Sequence, residues 1–85
     1  MKNVYWSQEK NAQLKRLRKI TFEDLIGSRF IGIEEHSTKR HQKLMLFEYQ
    51  GYVWVVPYVK GETYYFLKMA FPSRKHTKKY LGGAE

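Results

Sequence analysis

The residues of this chain best equipped for chemistry are cationic and cluster late. Arg74, Lys75, Lys78 and Lys79 stand at i, i+1, i+4 and i+5, which places them on one face of a helix. Lys68 and Tyr80 flank that run. Cations of this kind stabilise the charge that builds on a crowded phosphate. An RNA 2′-hydroxyl can attack its neighbouring phosphate without a metal. One group must take its proton and another must protonate the leaving oxygen. Histidine, glutamate or tyrosine can do both. Lys68 and Arg74 are therefore the candidates for the phosphate, and His36 and Glu48 for proton transfer. Plainer roles stand beside these: a solubilising lysine at a sheet edge, loop histidines, and strand aromatics that are simply core.

Other chemistries find little support. The acids, Glu9, Glu23, Asp24, Glu34, Glu35, Glu48, Glu62 and Glu85, form no ligand motif, and His36, His41 and His76 lack the i, i+4 spacing of a zinc pair. There is no phosphate-cradling glycine loop, no nucleophile elbow and no cysteine. The expectation is a protein without metal or cofactor.

Sixteen Lys+Arg against eight Asp+Glu give a net charge of +8, with a pI near 9.8. A field of that size draws polyanions inward. Nucleic acid is the first partner to consider, then an acidic protein or an anionic membrane, and solubility alone is the plain alternative. With 85 residues the chain has room for one domain, spanning 1–85, and 42% hydrophobic composition can still build a core. No apolar run approaches the roughly 20 residues of a membrane span, and Met1-Lys2-Asn3-Val4-Tyr5-Trp6 has no signal-peptide core. A cytoplasmic protein without membrane attachment is expected.

The elements that must position these side chains can be read in order. Val4-Tyr5-Trp6 suits a short edge strand. Ser7 caps a helix over 8–18 whose apolar stripe is Leu14 and Leu17. Lys15, Arg16, Arg18 and Lys19 make a second basic cluster, open to nucleic acid but equally suited to the negative end of the helix dipole. Thr21 caps a second helix with Phe22, Leu25 and Ile26 inward and Gly27 as its stop. Strands follow at 30–35, 43–49, 52–59 and 64–71, rich in β-branched and aromatic residues. A polar loop over 36–42 carries Arg40, another candidate for nucleic-acid contact. Gln50-Gly51 and Lys60-Gly61-Glu62 read as hairpin turns. Pro72 ends the last strand and Ser73 caps a short basic helix, with Tyr80 and Leu81 as its anchors. Residues 82–85 read as a frayed tail. The fold class expected is α+β: two N-terminal helices on one face of a four-stranded antiparallel meander, with the basic helix at its end. Leu14, Leu17, Phe22, Leu25, Ile26, Val53, Val55, Leu67 and Met69 should be buried.

Two stretches resemble the BrnT family of bacterial toxins, within the RelE/ParE-like superfamily. The first follows that family's helix and F-E-[ED] pattern at Glu9, Lys10 or Asn11, Leu14, Ile20, Thr21, Phe22, Glu23, Asp24 and Leu25, with one extra residue in the helix. The second is similar to its [ST]-R-[KR] segment at Ser73, Arg74 and Lys75. The order of elements agrees along nearly the whole chain. The sequence departs from the pattern at Leu17-Arg18-Lys19, at Ala70 or Phe71, and at His76-Thr77. The resemblance implies a ribonuclease toxin of a type II toxin–antitoxin pair that cleaves mRNA, blocks translation and is neutralised by a cognate antitoxin. A non-catalytic RNA- or DNA-binding module would use the same basic surface. A third possibility is a RelE/ParE-like protein directed at another protein, such as a topoisomerase.

Overall fold

The structure, a computed structural model, describes residues 3–82. The readings at Met1-Lys2 and at Gly83-Ala84-Glu85 lie outside the described residues. In chain order the elements are β1 (Asn3–Trp6), α1 (Gln8–Arg18), α2 (Phe22–Ile26), β2 (Arg29–Glu35), β3 (Gln42–Tyr49), β4 (Tyr52–Lys60), β5 (Tyr64–Leu67), β6 (Phe71–Pro72) and α3 (Arg74–Leu81).

Local chemistry starts and stops these elements. Ser7 Oγ accepts the Lys10 N–H at the head of α1. Thr21 and Asp24 close a reciprocal capping box on α2. Asn11 joins the two helices: its Oδ1 accepts the Phe22 N–H at 2.8 Å, and its Nδ2 donates to Glu23 at 2.8 Å. Between β3 and β4, Gln50 and Gly51 both take positive φ, 54° and 79°, as a two-residue hairpin turn requires.

The sheet is α+β in layout but not the simple meander expected. Its order is β1-β5-β4-β3-β2, with β6 also paired to β4. The hairpins from β2 to β5 are antiparallel, whereas β1 pairs with β5 in parallel, Asn3 opposite Tyr64 and Trp6 opposite Leu67. That pairing covers an edge that β5 would otherwise leave open. The strand expected over 64–71 also breaks. Lys68 N–H still reaches the Pro57 carbonyl, but residues 68–70 leave the ladder, and Phe71-Pro72 resumes one residue out of register as β6. The break falls beside Pro57, whose nitrogen has no hydrogen to donate.

Both faces of β4 are buried. On one, Val56 and Tyr58 pack with Met45 and Phe47 beneath Leu14, Phe22 and Leu25 of α1 and α2. On the other, Val53 and Val55 pack with Leu46, and α3 closes over them through Leu81. The basic helix thus lies across the second face rather than at the end of the sheet. Three residues expected in the core are not there. Leu17 is 62% exposed, Ile26 is 41% exposed, and Met69 is only partly buried. The left-handed turn at Lys19 brings Ile20, 1% exposed, into the space below the end of α1 in place of Leu17. The single turn of α2 can seat Phe22 and Leu25 but leaves Ile26 outside.

Candidate functional site

The seat of α3 is built from its first turn. Ser73 N–H bonds the Val53 carbonyl, so the β4 ladder runs directly into the helix cap. Ser73 Oγ then accepts the His76 N–H at 3.1 Å. Thr77 Oγ1 accepts the Val53 N–H at 2.8 Å and donates to the Ser73 carbonyl at 2.7 Å, fixing the helix to the sheet.

From this cap a line of polar groups crosses to β2. Ser73 Oγ lies 2.6 Å from His76 Nδ1, and His76 Nε2 lies 3.0 Å from Glu34 Oε1. Because Ser73 Oγ already accepts a backbone N–H, its own hydrogen is free for Nδ1. The imidazole then carries its hydrogen on Nε2 and gives it to the carboxylate. The second Glu34 oxygen accepts from Lys79 Nζ at 2.9 Å and from the Tyr80 hydroxyl. The Tyr80 hydrogen bond, then that of Lys79, hold the Glu34 carboxyl down at about 2, well below its ordinary range. The same carboxylate raises the Tyr80 phenol and the Lys79 ammonium. Glu34 is thus an anion over the whole working range of a protein. It orients the imidazole through the hydrogen bond to Nε2, but is a poor base itself.

The structure disperses the residues singled out from sequence. Among the described residues no hydrogen bond or ion pair joins Lys68, Arg74, His36 and Glu48 to one another. Glu48 is in an ion pair with Arg29 at 2.7 Å. His36 holds its own loop, Nδ1 accepting from the Thr38 and Lys39 N–H groups at 3.2 and 3.1 Å. Lys68 Nζ sits 5.5 Å from the centre of the Phe66 ring. Lys68 and Ser73 bond β4 carbonyls four residues apart, at Pro57 and Val53, a rise of about 13 Å along the strand. Arg74, Lys75 and Lys78 are exposed and make no side-chain hydrogen bond or ion pair among the described residues, whereas Lys79 and Tyr80 are committed to Glu34. Lys15, Arg16, Arg18 and Lys19 are exposed at the end of α1, and Arg40 is exposed in the loop before β3.

Sequence reasoning passed over Glu34, Ser73 as more than a cap, and His76. One signal was present: serine at the cap with histidine three residues on has the spacing of a capping box. Among the described residues no group of three or more His, Asp or Glu could hold a metal ion. No helix among them is long and apolar enough to cross a membrane.

The architecture is an α+β fold with helices on both faces of a mixed sheet. It is similar to the crystal structure of a ribonuclease toxin, BrnT from Brucella abortus, with a TM-score of 0.53 over 86% of this chain and 97% of that one. At 12% identity the likeness is one of fold. No protein-family model and no curated protein matches the sequence.

Proposed function

We propose that this chain is the toxin component of a bacterial toxin–antitoxin pair. In this reading it cleaves mRNA in the cytoplasm as a metal-independent endoribonuclease until a cognate antitoxin binds it. The fold likeness to a ribonuclease toxin and the charge of +8 support the reading. The observation that carries it is the Ser73–His76–Glu34 line, which opens at the cationic N-terminus of α3. With its hydrogen on Nδ1 and one lone pair on the His76 N–H, the Ser73 hydroxyl keeps a second lone pair for an RNA 2′-hydroxyl. As the 2′-oxygen attacks phosphorus, its proton passes to Ser73 Oγ while Ser73 gives its own to Nδ1. Glu34 holds the imidazolium that results. Return of that proton to the departing 5′-oxygen completes the step. Arg74, in the first turn, can meet two phosphate oxygens with its planar fork. Lys75 and Lys78 hold the strand. Lys68, about 13 Å away along β4, suits a neighbouring phosphate rather than the same one.

The test is single-turnover cleavage of an mRNA fragment in EDTA. Arg74→Ala should lower the rate by about 10²–10³. His76→Ala should lower it by about 10²–10⁴, and Lys78→Ala should weaken binding with little effect on the rate for bound RNA. Activity that disappears in EDTA would sink the metal-free mechanism. One observation favours a second reading, a non-catalytic nucleic-acid-binding module: both His76 ring nitrogens are occupied, so the line can serve solely to lock α3 in place. Intact RNA binding without cleavage by folded wild type would decide for it.

A further inference from the structure

On the sheet face opposite α3, the end of α1 and the β3–β4 hairpin enclose a cleft of about 400 Å³. Its lining joins three half-buried rings, Tyr49, Tyr52 and Trp54, to the cations Arg18 and Lys19. The Tyr49 and Tyr52 phenols and the Trp54 indole N–H make no hydrogen bond among the described residues, so they are open to a ligand. The volume lies in the range of small-molecule pockets, roughly 300–1,000 Å³. Pro72 also lines the cleft and is followed directly in the chain by Ser73 and Arg74, at the head of α3 on the other face of the sheet.

The backbone singles out the same place. Among the described residues two non-glycine positions take left-handed φ, Lys19 at 63° and Gln50 at 54°, and both line this cleft. Glycine is the residue that adopts such a conformation without strain at a helix end. At position 19 the chain instead keeps a cation beside the rings.

We propose that this cleft binds a nucleobase of single-stranded RNA, stacked on its aromatic lining, with Arg18 and Lys19 on the flanking phosphates. The inference rests on the reading of the chain as a protein that acts on RNA, and it adds a base-binding subsite on the sheet face opposite the proposed phosphate site. Aromatic rings among cations form the usual platform for unpaired bases, and their tolerance of sequence follows because every base has a π-face. A strand held at Arg74 would have to cross from the α3 face past Pro72 to place a base in the cleft.

The experiment compares two fluorescein-labelled, 2′-O-methylated oligoribonucleotides, which cannot be cleaved by 2′-attack. One is fully base-bearing, and the other carries abasic residues at its centre. By anisotropy, wild type should bind the base-bearing probe tighter by roughly 5- to 100-fold, the worth of one stacked base. Tyr52→Leu should abolish most of that preference. Arg74→Ala should weaken both probes and keep it. Lys19→Gly, which removes the charge while relieving the backbone, should weaken both probes with no fall in unfolding temperature. It therefore separates a binding role from a folding one even if Tyr52→Leu is unstable. Equal affinity of wild type for the two probes would overturn the inference and leave the cleft to a protein partner, as would a preference that survives Tyr52→Leu. Equal binding of the two probes by a wild type that still cleaves unmodified RNA would remove the subsite alone, whereas no binding to either probe would remove the RNA reading and the subsite together.

Discussion

Replacing Glu34 by glutamine probes the contact that draws α3 across the sheet. In the native protein this carboxylate is shared by Tyr80, Lys79 and His76, and its pKa falls from an ordinary 4.5 to about 2. At roughly 1.4 kcal/mol per pH unit, that displacement sets a ceiling of about 3 kcal/mol on the stability tied to its ionisation. The side chain is 23% exposed and that of Lys79 is 57% exposed. Solvent screening at such a site brings the expected figure down to ~1–2 kcal/mol. The pKa is depressed on folding, so the contribution is complete above pH 4.5 and is lost as pH falls through 2. Glutamine keeps the shape but not the charge. Urea unfolding followed by circular dichroism should therefore show Glu34→Gln less stable than wild type by ~1–2 kcal/mol at pH 7. The gap should close steadily as both proteins are taken down toward pH 2. A gap of constant size across that range, or none at pH 7, would refute the electrostatic account of how α3 is held.

Other consequences can be checked more simply. Thr77→Val leaves the Val53 N–H without its partner, and should cost about 1–3 kcal/mol in urea unfolding, while Thr77→Ser should restore most of it. Gln50→Asn suits the left-handed position before Gly51 better, and should raise the unfolding temperature; a fall would contradict a left-handed turn at this position. RNA affinity should drop with salt along a slope of about −2 to −3 if three or four phosphates are neutralised at about −0.7 each. In the same titrations Lys78→Ala should flatten that slope more than Lys79→Ala, because the Lys79 ammonium is already paired with Glu34.

What the sequence determines unaided is local. Ser7, Thr21 and Ser73 cap the helices that follow them, and Gln50-Gly51 turns β3 into β4. In each case the groups that must meet lie within a few residues, so their types and spacing are enough. The excess of positive charge is likewise a property of composition. Tertiary structure alone decided the rest. The parallel pairing of β1 with β5 joins Asn3 to Tyr64, and no short window contains both partners. The strand expected over 64–71 breaks at 68–70 beside Pro57, a residue of the neighbouring strand. Most of all, Glu34 acquires its role from His76, Lys79 and Tyr80, which are 42 to 46 positions away. Leu81 packs on Leu46, Val53 and Val55 and so helps hold α3 where those side chains reach it. A carboxylate on an edge strand and a histidine in a basic helix look unremarkable apart, because the energy that couples them exists only once both faces of the sheet are covered.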